Sequence, residues 1–265
     1  MADARGKSGP NDPPELALEG VTKSFGGFMA VKDVSLSFPR GHIYGIIGPN
    51  GAGKTTLFNL LSGYLKPTKG ALRHRGEDVT GLSAAAIARR GIVRSFQITS
   101  IFSNLSVAEN LALPIQRRVG EAGSFLRPSR WRRDHGKEID SLLHQVHIPP
   151  EWRDRPASTL PYGLKRSLEL GISLASRPEL LLLDEPTAGM TAHDIVKITG
   201  VIETIAAGRT VIVVEHNLGV IADLAHEIVV LTQGQLLTRG TYAEVRRDPR
   251  VIDTYLGTKG RHPHA

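Results

Sequence analysis

Ile43-Tyr-Gly-Ile-Ile47-Gly48-Pro-Asn-Gly-Ala-Gly-Lys-Thr-Thr56-Leu57-Phe-Asn-Leu-Leu61 reads as three elements in a row. The apolar run at 43–47 predicts a buried strand, and the apolar residues from Leu57 predict the first turns of a helix. Between them, Gly48 is followed after four residues by Gly53-Lys54-Thr55, the spacing of a phosphate-cradling loop in the strand-loop-helix setting such a loop requires. Gly48, Gly51 and Gly53 carry no Cβ, so the backbone can curl around phosphate oxygens and aim successive N–H groups at them. The helix N-terminus adds positive potential at the same point. Lys54 supplies a point charge for the β- and γ-phosphates, the Thr55 hydroxyl suits Mg²⁺, and Thr56 is placed for the α-phosphate. Pro49, Asn50 and Ala52 complete the loop and are assigned to nucleotide with it. A charge-assisted hydrogen bond contributes about 1.5–3 kcal/mol, so several together reach roughly micromolar to millimolar affinity.

Working outward, Leu180 to Leu183 form a continuous apolar run between Arg177-Pro178-Glu179 and Pro186. This predicts a central parallel strand buried on both faces. Asp184 and Glu185 stand at its carboxyl end, where open α/β sheets bind ligands, and therefore beside the phosphate loop. Asp184 is read as a Mg²⁺ holder, directly or through water. Glu185 is read as the general base that orients or deprotonates the water attacking the γ-phosphate, a role typically contributing about 10²–10⁴ in rate. The plainer alternative, two acids that end a strand and pair with nearby bases, has to be set against the phosphate loop upstream.

Taken in order, the loop at 48–56, Gln97, Leu160-Pro-Tyr-Gly-Leu164, the acid pair and His216 resemble the nucleotide-binding subunits of ABC transporters. That family places a second phosphate-contacting motif, the signature, between its two Walker motifs. The resemblance implies further roles. Gln97 would reach Mg²⁺ and the attacking water and open the segment that touches the membrane partner. His216, after the strand Thr210–Glu215, would hydrogen-bond the γ-phosphate, and Phe25 would stack on adenine. Leu160 and Gly163 would belong to a signature that faces the ATP of an opposing subunit. ATP and Mg²⁺ are the implied ligands. On its own, a histidine at a strand end is more often structural, a lone glutamine says nothing, and the plainer alternative for Phe25 is a core position.

The chain departs from the common Leu-Ser-Gly-Gly-Gln signature. Pro161 removes both the serine hydroxyl and a backbone donor, while Gly163 and a helix start through Leu164 to Ala175 remain. Signatures of the form Leu-Ala/Ser-Tyr-Gly resemble those of importers for branched-chain and other hydrophobic amino acids. The ending Asp248-Pro-Arg-Val-Ile-Asp-Thr-Tyr-Leu-Gly257 is similar to the C-terminus of the same subunits. The likeness covers nearly all of residues 15–257. Thr191 stands where the family's D-loop usually carries aspartate, and it is given no catalytic role.

The expected fold is α/β, a P-loop NTPase (RecA-like) core with an antiparallel β subdomain and a helical signature subdomain. Strands at Leu16–Leu18, Val34–Phe38 and Ala71–His74 would form the antiparallel part. Residues from about 98 to 170 would be helical, with a capping box at Ser106-Val-Ala-Glu109, an amphipathic stretch at Glu138–Val146 and an insertion around Gly120–Gly136. Strands at Ile228–Leu231 and Gln235–Thr238 and two short helices would follow His216. Residues 1–14 read as a disordered leader, 15–257 as the nucleotide-binding domain and 258–265 as a tail.

The 265 residues carry a net charge of +7 and no cysteine, which excludes disulfides and thiolate metal sites and is consistent with a reducing cytoplasm. No run approaches the ~18 apolar residues of a membrane span, and Met1–Glu15 lacks an apolar signal-peptide core. Arg127-Pro-Ser-Arg-Trp-Arg-Arg133 is either the solvated face of a surface insertion or a contact for anionic lipid or nucleic acid; no aromatic stacking series accompanies it. The expected function is hydrolysis of ATP to energise import of branched-chain or related amino acids, at the cytoplasmic face of the inner membrane. The implied partners are transmembrane permease subunits, a second ABC ATPase subunit, identical or not, and indirectly a periplasmic solute-binding protein; nucleic acid is not expected. An importer of urea, amides or another small solute is the near alternative, given Gly189-Met190-Thr191. A soluble ABC ATPase acting on nucleic acid or ribosomes would usually carry two P-loops or long insertions. A metabolic P-loop kinase would require neither Gly163 nor His216.

Overall fold

The computed structural model describes residues 12–95, 101–120 and 128–256, excluding the side chains of residues 128–134, 255 and 256. Gln97, the basic stretch at 127–133, the first eleven residues and the tail from 257 therefore lie outside what is described at side-chain level.

Six strands form the central sheet in the order β10-β9-β3-β8-β7-β6. They are β3 (Ile43–Ile47), β6 (Ile92–Arg94), β7 (Leu180–Asp184), β8 (Thr210–Val214), β9 (Glu227–Thr232) and β10 (Gln235–Gly240). All neighbours pair in parallel except β9 and β10. The strongly apolar runs have this consequence because a parallel strand is covered on both faces. Along β3, Ile43 and Ile47 pack into one core cluster while Tyr44 and Ile46 pack into the other. Leu181 and Leu183 of β7 alternate with Leu180 and Leu182 in the same way, as do Val211 and Val213 of β8 with Ile212 and Val214.

One face is covered by α1 (Lys54–Leu61) and by a second, antiparallel sheet ordered β2-β1-β4-β5. Its strands are β1 (Leu16–Phe25), β2 (Phe28–Phe38), β4 (Lys69–His74) and β5 (Glu77–Asp78). Helix α2 (Ala84–Arg89), capped by Ser83, leads from it to β6. The other face is covered by helices. These include α3 (Val107–Val119), α4 (Pro128–Gln145), α5 (Tyr162–Ala175), α6 (Ala192–Ala206) and α7 (Leu218–Leu224). The capping box expected at Ser106 and Glu109 is present, with Glu109 N donating to Ser106 Oγ and Ser106 N to Glu109 Oε2. The amphipathic stretch from Glu138 is the second half of α4, and α5 begins two residues earlier than the expected Leu164. The chain closes with α8 (Tyr242–Arg247) and α9 (Pro249–Leu256). Among the described residues, no helix is long and apolar enough to cross a membrane.

Candidate active site

Because β3, β6, β7 and β8 run parallel, their carboxyl ends open at one edge of the sheet. Register fixes the neighbours there: Ile46 lies beside Val214, and Val214 beside Asp184. The phosphate loop leaves β3 and turns into α1 at Gly53, whose left-handed conformation (φ 96°) and contact with Ala30 O leave no room for a Cβ. The N-cap Gly53 offers no side-chain acceptor to the first N–H groups of α1, where Lys54, Thr55 and Thr56 stand at the helix start. Lys54 is buried and donates from Nζ to Gly48 O at 2.6 Å and Pro49 O at 3.1 Å. Burial holds its ammonium below the usual lysine pKa, with the Glu185 charge acting in the opposite sense. Pro49, Asn50, Gly51 and Ala52 form the loop between, closed by Ala52 N donating to Pro49 O.

Asp184 ends β7 and is mostly buried, with Oδ2 at 2.6 Å from Arg94 Nη2. The Arg94 guanidinium also donates to Asn59 Oδ1 of α1 and lies 5.1 Å from the Phe58 ring centroid. Glu185 follows in a left-handed conformation (φ 44°). Glu185 Oε1 meets His216 Nε2 at 2.8 Å, so the structure brings these two sequence-selected residues together. The backbone of His216 is held by Glu215, a buried carboxylate whose hydrogen-bond donors among the described residues are uncharged. Glu215 Oε1 accepts from Thr187 N (2.8 Å) and Thr187 Oγ1 (2.6 Å), and Oε2 accepts from His216 N (3.1 Å).

The signature residues lie apart from the phosphate loop in their bonding. Leu160 is buried before α5, and Pro161 occupies the N-cap with no side-chain bond. Tyr162 donates to Ala188 O at 3.1 Å, and Asp194 stands against Gly163. Thr191 caps α6, accepting from Asp194 N and donating to Asp194 Oδ2 at 2.9 Å, so its role is structural. Phe25 ends β1 at the Gly26-Gly27 hairpin, half-exposed, with Lys23 Nζ 5.0 Å from its ring centroid.

Arg94, Arg166 and Glu215 bond to the acid pair or to His216 and are not singled out by the sequence motifs. The signal available was a charge at a place where periodicity demands burial: Glu215 directly after Val211–Val214, Arg94 after Ile92-Val93, and Arg166 on the face of α5 shared with Leu170.

Residues 31–188 match the family model described as ABC transporter. The chain belongs to the ABC transporter ATP-binding family. Residues 235–260 of this ABC subunit match a second model, described as branched-chain amino acid ATP-binding cassette transporter. The high-affinity branched-chain amino acid transport ATP-binding protein BraF of Pseudomonas aeruginosa is 37% identical over 252 residues, spanning 92% of this chain and 98% of its own. LivG of Escherichia coli K12, with the same description, is 36% identical over 251 residues at the same coverage. Among solved structures, a nucleotide-free ATP-binding cassette from an ABC transporter aligns with a TM-score of 0.77 and 27% identity, covering 91% of this chain and 98% of that one. The ADP conformation of another ABC cassette also gives 0.77, at 30% identity and the same coverage. The expected P-loop core with its antiparallel and helical parts is thus the ABC cassette fold, and the ABC subunit is an ATPase.

Proposed function

We propose that this ABC subunit hydrolyses ATP to drive import of branched-chain amino acids through a separate membrane permease, from the cytoplasmic face of the membrane. The observation that carries this reading is the match of the C-terminal segment 235–260 to the branched-chain cassette model, together with relatives of that description along almost the whole chain. The urea or amide reading rested on Gly189-Met190-Thr191, and Thr191 is accounted for as a helix cap.

In this reading residues 15–257 work as one nucleotide-binding unit, with the helical part at about 98–170 turning against the core. The uncapped start of α1 and the Lys54 ammonium bind the β- and γ-phosphates, which requires Lys54 to leave Gly48 O and Pro49 O for phosphate oxygens. Phe25 stacks on the adenine. The Thr55 hydroxyl and the Asp184 carboxylate form a hard oxygen donor set that fits Mg²⁺, which when bound neutralises phosphate charge, and Gln97 would join them. Glu185 takes the proton of the attacking water, and His216, bonded to Glu185 Oε1, keeps that carboxylate oriented and presents its ring to the γ-phosphate. Leu160 and Gly163 serve the ATP of a second ATPase subunit, with Pro161 weakening that contact. A periplasmic solute-binding protein delivers the amino acid without touching this chain.

The test is purification of the chain with its permease and solute-binding protein in vesicles. ATP hydrolysis stimulated by leucine, isoleucine or valine is expected. Stimulation by urea or amides alone would replace the substrate assignment, and failure to copurify with any permease would replace the transport assignment.

A further inference from the structure

Helix α5 reaches the backbone of the acid pair through Arg166. Arg166, in the second turn of α5 and only 6% exposed, donates from Nε to Pro186 O at 3.0 Å. Its Nη2 donates to Glu185 O at 2.8 Å and lies 3.4 Å from Asp184 O. The remaining arm, Nη1, meets Glu169 Oε2 at 2.7 Å, one turn further along the same helix. One guanidinium thus engages three consecutive carbonyls, and its charge is balanced within α5 by an equally buried carboxylate.

The carbonyls it grips span the point where the chain leaves the sheet: Asp184 is the last residue of β7 to pair with β8, opposite Val214, and Glu185 and Pro186 lie beyond it. Glu185 then takes a left-handed conformation, strained for a non-glycine residue, which persists only where the surroundings over-determine it. Three bonds do so. Glu185 N donates to Val214 O at 2.8 Å, and Glu185 O accepts from Ala188 N at 3.1 Å and from Arg166. The first two come from the strand and its own turn, whereas the third comes from the signature helix. A guanidinium suits this role because its planar fork offers five donors in fixed directions, and a lysine ammonium does not reproduce that geometry.

We propose that Arg166 is a positioning residue that fixes the backbone of Glu185, so that the orientation of the signature helix sets the aim of the same subunit's general base. The inference rests on the reading of Glu185 as the base. Since α5 begins at the signature, which serves the opposing subunit's ATP, Arg166 is a direct mechanical link between the two ATP sites of a dimer. A buried ion pair with a purely structural role would instead alter unfolding without altering the partition between binding and turnover.

The experiment compares wild type, Arg166→Met and Arg166→Lys in the complete transporter, with Glu185→Gln alone and combined. Arg166→Met is expected to lower kcat about ten- to a hundredfold while ATP affinity stays within about twofold, with partial recovery in Arg166→Lys. In the Glu185→Gln background the same change is expected to reduce residual single-turnover hydrolysis by less than about twofold, since a residue acting through Glu185 has nothing further to remove. Wild-type kcat in Arg166→Met, or a loss that multiplies with that of Glu185→Gln, overturns the proposal. Where the methionine variant does not fold, Arg166→Lys decides by the same criteria. Full hydrolysis by Glu185→Gln would instead sink the base assignment itself, a separate outcome from any result at Arg166.

Discussion

Arg94 Nη2 lies 2.6 Å from Asp184 Oδ2, so the carboxylate assigned to the metal shares its charge with a guanidinium from the neighbouring strand. Arg94 is itself anchored on α1 by Asn59 and against the Phe58 and Tyr64 rings. A cation arriving at Asp184 meets that positive charge at short range, and in a protein environment with an effective dielectric of about 20 the repulsion amounts to a few kcal/mol before screening. Arg94→Gln is therefore expected to tighten Mg²⁺ binding to the ADP-loaded protein about three- to tenfold. Calorimetric titration with Mg²⁺ decides it. Weaker Mg²⁺ binding in the variant would mean that Arg94 holds Asp184 in place and does not compete for it.

Glu215 clasps two loops with one carboxylate. Its bonds to Thr187 N and Oγ1 hold the segment after the acid pair, and its bond to His216 N holds the histidine. Glu215→Ala strands buried donors on both sides, each costing about 1–3 kcal/mol. Urea unfolding should show Glu215→Ala and Thr187→Val to be non-additive by more than about 1 kcal/mol, because they remove the same interaction. Additive losses would show that the two loops are held independently.

Gly51 and Gly53 both have positive φ, 77° and 96°, but only Gly53 is hemmed in, by Ala30 O and by Gly234. Alanine at 51 has open space around its Cβ and carries only the conformational cost, about 1–2 kcal/mol. Alanine at 53 adds a collision with backbone that the β2–loop contact cannot relieve, and is expected to cost about 2–4 kcal/mol. Equal melting temperatures for the two variants would contradict this difference.

The regular frame was legible because its strands are buried on both faces, so that Ile43–Ile47 and Leu180–Leu183 stand out as unbroken apolar runs at the right distance from a glycine loop and an acid pair. The side chains that orient the site were not legible, for a physical reason. Arg94, Arg166 and Glu215 act by meeting backbone carbonyls, backbone N–H groups or a carboxylate from other elements. Such partners leave no spacing in the sequence. Thr191 shows the converse: judged against a family pattern it is a loss, whereas its threonine-to-Asp194 bonds form an ordinary helix cap.

Glu15 ties the antiparallel sheet to the edge of the core and gives the fold an acid-sensitive joint. The carboxylate is almost fully buried, with His74 Nε2 at 2.9 Å, Arg75 Nε at 3.2 Å and Arg40 Nε at 3.3 Å. Arg75 also reaches Glu179 at 2.6 Å, so the ligand-like grouping of Glu15, His74 and Glu179 is already threaded by cationic side chains. Burial is the largest single influence and raises the Glu15 pKa, but the His74 hydrogen bond and the charges of Arg75, His74 and Arg40 together outweigh it, leaving the pKa lowered. A carboxyl whose folded pKa lies below its unfolded value binds fewer protons when folded, so its stabilising contribution is complete above the unfolded value, about 4.3, and is lost as pH falls through the folded value. Glu15→Gln should therefore be less stable than wild type at pH 7, and the gap should close as the pH is lowered below about 4. Thermal or urea unfolding across that range checks it, and a gap that stays constant with pH would show that Glu15 contributes through shape alone.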